Sequence, residues 1–153
     1  MDNYKNFNHI KIHTQYSICE GALRINDLAE FCKKNKIKCV GLSDTTNLCG
    51  ALEFSENLSK IGTQPIIGTQ VNFKFADQIG LLPLIATSEE SYKSIIEMSS
   101  NSYLKNDGIS EPHCNFKDLT AISKDIIILS GTVKGLVGKL FDKGLFNEVE
   151  EIY

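Results

Sequence analysis

Short β-rich runs alternate with stretches of helical periodicity along the whole of this 153-residue chain. That order is the pattern of a mainly parallel sheet whose strands are joined by crossover helices. A first strand is expected over 8–13, followed by a helix in which Ile25, Leu28, Ala29, Phe31 and Cys32 recur at helical spacing, with Asn26 or Asp27 placed to cap it or meet its dipole. A second strand over 38–42 ends at the polar turn Ser43-Asp44-Thr45-Thr46-Asn47. A second helix, 50–61, shows Leu52, Phe54 or Ser55, and Leu58 on one face and is stopped by Gly62. Pro65-Ile66-Ile67-Gly68 opens a strand that continues through Gln70, Val71 and Phe73, and another follows over 81–86, where Pro83 argues for an edge or a bulge. Ser88 caps the next helix, with Glu89 and Glu90 in its first turn. Beyond it lie a loop over 101–115, a short helix over 116–122, a strand over 125–129, and helices over 137–142 and 147–153. The last helix has neither a cap nor a closing strand after it, so the chain reads as the front part of a longer polypeptide.

The first strand carries unusual side chains. Alternation places His9, Lys11 and His13 on one face and Ile10 and Ile12 on the other, so two imidazoles and an ammonium share a polar face. The carboxyl ends of strands are where an α/β fold places its chemistry. The turn after the second strand brings Asp44 and its neighbours to the same end.

The formal charge of −3 gives no global attraction to nucleic acid. Lys33, Lys34, Lys36 and Lys38 cluster locally, and such a run reads as a solvated helix end rather than a phosphate track. Five cysteines, an odd number with no C-x-x-C, read as reduced thiols of a cytoplasmic protein. The polar start lacks a signal-peptide run, and no segment approaches the length of a membrane span.

Three ordered blocks then carry a resemblance. They are His9-Ile-Lys-Ile-His13-Thr-Gln-Tyr-Ser17-x-x-Glu20-Gly21-Ala22, then Gly41-Leu-Ser-Asp44-Thr-Thr-Asn47-Leu-Cys-Gly50-Ala-Leu-Glu-Phe54, then Pro65-Ile-Ile-Gly68. Together with Ala86-x-x-Glu89-Glu-x-Tyr92 and Ile128-Leu-Ser-Gly131, this set resembles the N-terminal polymerase-and-histidinol-phosphatase (PHP) domain of bacterial replicative DNA polymerase III α subunits. The resemblance implies an α/β fold, the first part of a distorted (β/α)7 PHP barrel, with the polymerase domains beyond this chain.

Catalytically intact members of that family hold two or three divalent metals at the strand ends. Position by position, the resemblance puts Lys11-x-His13 where the family has His-x-His, Asp44-Thr45 where it has Asp-His, Gln70 where it has Glu, and Thr132 where it has Cys. A later family His falls near Ile79 or Gly80. An ammonium has no lone pair to give, and Thr and Gln are weak neutral ligands, whereas a two-metal mechanism needs several anionic or imidazole ligands. Lys11, His13, Asp44, Thr45, Gln70 and Thr132 are therefore expected to form a vestigial site that binds no metal, with Lys11 salt-bridged to Asp44 and His13 hydrogen-bonded to either. His9 lies outside the ligand pair and reads as a hydrogen-bonded strand-end histidine, and His113-Cys114, half of a metal pair with no second pair nearby, reads instead as part of an exposed loop. The glycines of Gly131-x-x-x-Gly135-x-x-Gly138 fit neither phosphate-loop spacing and read as turn and helix-entry residues.

The resemblance implies a non-catalytic module of a DNA polymerase. Its partners would be the remaining domains of the α subunit and a proofreading exonuclease subunit, with DNA reached through the parent protein and Mg²⁺ used by the parent alone. The competing expectation is a metal-dependent phosphoesterase or 3′–5′ exonuclease acting through the PHP site. A partial barrel would also expose strand edges and an apolar face, which predicts aggregation or marginal stability of the chain in isolation.

Overall fold

In a computed structural model that describes residues 7–106, 108–120 and 125–153, the chain forms two compact units, Met1–Thr69 and Gln70–Tyr153. The architecture is mixed α/β, and among the described residues of neither unit do the strands close on themselves.

The first unit holds α1 (Ile25–Asn35), β1 (Cys39–Gly41), β2 (Asp44–Thr45), α2 (Ala51–Lys60) and β3 (Gln64–Ile66). β1 and β3 pair in parallel, with Val40 opposite Pro65, which requires the crossover that α2 supplies. Ile25, Leu28, Ala29 and Cys32 of α1 and Ala51, Phe54 and Leu58 of α2 are buried together with Val40 and Leu42. These are the spacings that put one stripe of each helix on a shared core. Gly62, at φ +78°, follows α2 where a left-handed residue ends a helix without a β-carbon clash.

Residues 8–13 do not form the regular strand expected from their alternation. The segment runs beside β1, with hydrogen bonds from Gly41 N to the His9 carbonyl at 2.7 Å, from Ile12 N to the Gly41 carbonyl at 3.0 Å and from Ser43 N to the Ile12 carbonyl at 2.8 Å. It meets neighbours only through isolated bridges, Ile12 to Leu42 and Thr14 to Leu23. The ladder stops there because the chain turns at once: Ser17 N bonds back to the Thr14 carbonyl at 2.9 Å and Glu20 N to the Ser17 carbonyl at 3.0 Å.

The strand β4 (Gly68–Phe75) starts in the last residues of the first unit and runs into the second. There it joins β5 (Gln78–Ala86), α3 (Glu89–Leu104), β6 (Cys114–Asn115), α4 (Phe116–Thr120), β7 (Ile126–Ile128), α5 (Leu136–Asp142) and α6 (Phe146–Ile152). Within this unit the strand order is β6-β4-β5-β7, with β6 parallel to β4 and β7 antiparallel to β5. Residues 121 and 122 of the short helix expected over 116–122 lie outside the described residues.

Pro83 marks where pairing stops. β7 covers only Leu84–Ala86, and just beyond it the Pro83 carbonyl accepts the Leu129 N–H at 2.9 Å. Proline lacks a donor on that flank, so the ladder can end there without an orphaned N–H.

Three departures from the sequence expectation have local causes. β5 begins earlier, at Gln78, because Ala76 and Asp77 both take positive φ (46° and 58°) and close a two-residue hairpin with β4. That is the primed turn whose twist suits paired strands, here made without the usual Asn-Gly. α3 runs on to Leu104 instead of stopping near 100. Its serines return their hydroxyls to the preceding turn, Ser100 Oγ to the Ile96 carbonyl at 2.9 Å and Ser102 Oγ to the Ser99 carbonyl at 2.7 Å. In that arrangement they no longer compete for the backbone. β6 falls inside the expected loop. Replacing Ala76-Asp77 by Asn-Gly should raise stability by about 1 kcal/mol, read from urea unfolding, because both residues then occupy a conformation they favour.

Candidate functional site

The centre of the first unit is the carboxylate of Asp44, which is fully buried on β2. Its Oδ1 accepts the Thr14 N–H at 2.6 Å and the Ser17 hydroxyl at 2.7 Å, and its Oδ2 accepts the Thr14 hydroxyl at 2.7 Å. Thr14 and Ser17 are themselves buried, at 0% and 1% exposure. The carboxylate is thus met by three donors from one short turn, which satisfy the buried oxygens within the protein itself.

The knot spreads outward through hydrogen bonds. Ser17 Oγ also accepts the Thr45 N–H at 3.1 Å, and Thr69 Oγ1 donates to the Asp44 carbonyl at 2.7 Å. Asn47 Nδ2 donates to the carbonyls of Tyr16 (3.0 Å) and Thr45 (2.9 Å), while its Oδ1 accepts Cys49 N at 3.1 Å. Tyr16 donates its hydroxyl to Glu53 at 2.7 Å, and that hydrogen bond and the charge of Glu53 push the phenol above its ordinary value. Gly50 lies under the Tyr16 ring, where a β-carbon would come within 2.6 Å of it.

Lys11 and Asp44 form no ion pair among the described residues, which corrects the expectation of a salt bridge. The reason is that Thr14 and Ser17 already satisfy both carboxylate oxygens in place, whereas drawing an ammonium into that pocket would cost its hydration. The His13 Nδ1 lies 3.4 Å from Ser17 Oγ and 3.7 Å from Glu20 Oε2. Glu20 in turn accepts the Thr45 hydroxyl at 2.5 Å. His13, Ser17, Glu20, Asp44 and Thr45 thus meet, and Lys11 is partly exposed on the segment leading into them.

Gln70 and Thr132 belong to the second unit. Gln70 is buried on β4 at 5% exposure. Thr132 is exposed in the segment after β7, where its Oγ1 accepts the Lys134 N–H at 3.3 Å and its carbonyl accepts the Gly135 N–H at 2.8 Å. The glycines around it serve close packing: β-carbons at Gly80 and Gly135 would come within 2.5 Å of Leu136 Cα and 2.9 Å of the Leu81 carbonyl oxygen. The segment therefore lies against β5 as a turn and helix entry.

The remaining candidates are accounted for locally. His9 is exposed and meets the Phe7 ring edge-on at 4.7 Å. His113 Nδ1 lies 2.8 Å from the Glu111 carbonyl, while Cys114 is buried and donates its thiol to the Met98 carbonyl at 3.3 Å. Burial, aided by the charge of Asp118, pushes that thiol up to about 11, so it is protonated at neutral pH.

Of the six positions the sequence singles out, His13 and Asp44 alone carry an imidazole or a carboxylate. The Asp44 oxygens are committed to three internal donors. This donor set does not fit a two-cation centre, which needs bridging carboxylate and several anionic or imidazole ligands. Sequence reasoning missed Thr14 and Ser17, the two residues that hold Asp44. The signal available was a pair of hydroxyls three residues apart where the first segment turns, inside the block that carries the resemblance.

Comparison with known proteins places these blocks. The PHP domain matches residues 9–153. The DNA polymerase III subunit alpha of Rickettsia felis is 37% identical over 134 residues, covering 87% of this chain and 11% of that protein. The protein of the same name from Haemophilus influenzae is 30% identical over 161 residues, covering 98% of this chain and 13% of that protein. A solved structure titled as a metal-dependent phosphoesterase, from Bifidobacterium adolescentis, aligns with 94% of this chain and 52% of its own at 20% identity and a TM-score of 0.49. The chain thus spans about a tenth of the length of the curated relatives it matches. No helix among the described residues is long and apolar enough to cross a membrane. With the match extending over nearly all of its residues, this chain belongs to the PHP domain family.

Proposed function

We propose that this chain is the PHP part of a DNA polymerase III α subunit and that it serves there as a non-catalytic scaffold. The observation that carries this reading is the Asp44 carboxylate, held by Thr14 and Ser17 through three hydrogen bonds. A cation arriving there would have to break those bonds and would meet the ammonium of Lys11 on the approaching segment, where the resemblance puts a ligand. Thr45, Gln70 and Thr132 stand as neutral side chains at the other matched positions. On this reading nucleotidyl transfer, with its Mg²⁺, belongs to other parts of the subunit, and the two units contribute the first part of a (β/α)7 barrel.

The partners on this reading are the remaining domains of the subunit and a proofreading exonuclease. Ile127 and Ile128 on β7 and Phe141 on α5 are exposed at 50%, 36% and 62%. Apolar surface of that kind suits burial against further polypeptide.

The test is a metal titration. The purified chain should take up no stoichiometric Zn²⁺ or Mn²⁺, its Tm should not move with either ion, and it should not hydrolyse a phosphodiester. Stoichiometric metal together with hydrolysis abolished by His13→Ala would establish the phosphoesterase or 3′–5′ exonuclease reading in its place.

A further inference from the structure

We propose that a cavity of the second unit, between α3 and the segment formed by β6 and α4, binds a free basic amino acid of the lysine or arginine class. The cavity holds about 200 Å³. Its floor is Met98 and Cys114, exposed at only 4% and 6%, and its walls are charged or polar: Glu97 and Asn101 of α3, Lys105 just after it, and Asp118 of α4. Drug-sized ligands fill roughly 300–1,000 Å³, so this space suits a smaller molecule.

The helix explains how these groups meet. Glu97, Asn101 and Lys105 follow one another at four-residue intervals, which puts them on one face of α3, with Met98 beside them. β6 packs against that helix and α4 against β6, and the Cys114 thiol donates to the Met98 carbonyl at 3.3 Å. Asp118 and Lys105 both act on that thiol, with opposite sign, so both charges reach the same end of the cavity. The thiol is protonated at neutral pH, and the floor brings no charge of its own.

The wall charges are left unneutralised. Among the described residues Glu97, Lys105 and Asp118 have no opposite charge at ion-pair distance, and Lys93, four residues before Glu97, pairs instead with Glu89 at 2.6 Å. Glu97 and Lys105 are separated by roughly 12 Å of helix, too far to close on each other directly. Two carboxylates and one ammonium are complementary to two cations and one carboxylate. Beside Cys114, Asp118 faces the α-ammonium while Lys105 and the Asn101 amide face the α-carboxylate, and Glu97, two turns back along α3, faces the side-chain cation. A basic side chain of a partner protein, or a diamine, offers Lys105 no carboxylate, so the charge count selects the free amino acid.

Isothermal titration calorimetry of the full 153-residue chain with L-lysine tests this, with glycine, cadaverine and a lysine blocked at both ends as comparisons. The native chain should bind lysine saturably, and cadaverine and glycine should bind about tenfold or more weakly, since each lacks a charge that the cavity meets. Glu97→Gln should weaken lysine by about tenfold and leave glycine unchanged, whereas Lys105→Met should weaken lysine by about tenfold and leave cadaverine no weaker. Both side chains are exposed, so the Tm of each unliganded variant should match that of the native chain and serve as the fold control. The proposal fails if the native chain takes up neither lysine nor arginine saturably, or if lysine affinity is unchanged in both variants. Blocked lysine binding as tightly as free lysine would assign the cavity to a side chain of a partner protein and overturn it equally. None of these outcomes touches the scaffold reading, which the metal titration decides.

Discussion

Asp44→Ala should lower the stability of the chain by about 3–4 kcal/mol in urea unfolding carried out without metal. The variant removes the acceptor for Thr14 N–H, the Thr14 hydroxyl and the Ser17 hydroxyl, all three buried. Each stranded donor costs about 1–3 kcal/mol, and the total falls short of three full penalties because the turn can relax to share what partners remain. Asp44→Asn should cost only about 1–2 kcal/mol. Its amide oxygen can stand at Oδ1 and keep two donors, while its NH₂ faces the Thr14 hydroxyl, which can turn to accept. A residue whose main work were to hold a cation would show little difference between the two variants in the absence of metal, so the gap between them measures the knot directly.

Gly21→Ala should cost about 3 kcal/mol, with Gly62→Ala as its contrast at about 1 kcal/mol. A β-carbon at Gly21 would fall 2.0 Å from the Thr14 carbonyl oxygen and 3.0 Å from the His13 carbonyl carbon. Those are backbone atoms, fixed by the bridge from Thr14 to Leu23 and by the bond from Gln15 N to the Leu23 carbonyl at 2.9 Å. The turn over 14–21 must therefore open, and the donors to Asp44 move with it. Gly62 has nothing within 4 Å of a built β-carbon, and only its φ of +78° resists substitution. The pair separates want of space from want of conformational freedom, and Gly21→Ala should also weaken the Asp44 contacts, so its effect combined with Asp44→Ala should be less than additive.

Much of the fold is legible in the chain because local signals and packing agree. Ser88 caps α3 as expected, with Ser91 N reaching its hydroxyl at 3.1 Å and Ser91 Oγ accepting the Ser88 N–H at 2.9 Å. Ile25, Leu28, Ala29 and Cys32 of α1 and Phe54 and Leu58 of α2 fall on the core their spacing points to, whereas Phe31 and Leu52, expected on the same faces, are exposed. What is not legible is whatever tertiary structure imposes against local preference. Ala76-Asp77 carries no hairpin signature, and the turn forms because β4 and β5 pair on either side of it. The serine-rich end of α3 reads as loop until its hydroxyls are seen to bond within the helix. At the candidate site, the blocks that carry the resemblance draw attention to Asp44 and to Lys11 and His13 in the block before it. Charge alone suggests Lys11 as the partner of Asp44; the neutral hydroxyls of Thr14 and Ser17 prevail because they reach it from a turn that the backbone already requires.

The donors to Asp44 lie 27 and 30 residues before it, and Tyr16 lies 37 residues before Glu53. On a ribosome, the turn over 14–21 therefore emerges long before the residues that hold it. Until Asp44 has cleared the exit tunnel Thr14 and Ser17 lack their acceptor, and until Glu53 has cleared it so does the Tyr16 hydroxyl, while the loop-closure entropy of the intervening chain stands against docking as each emerges. This turn is synthesised before the residues that hold it and is locked late.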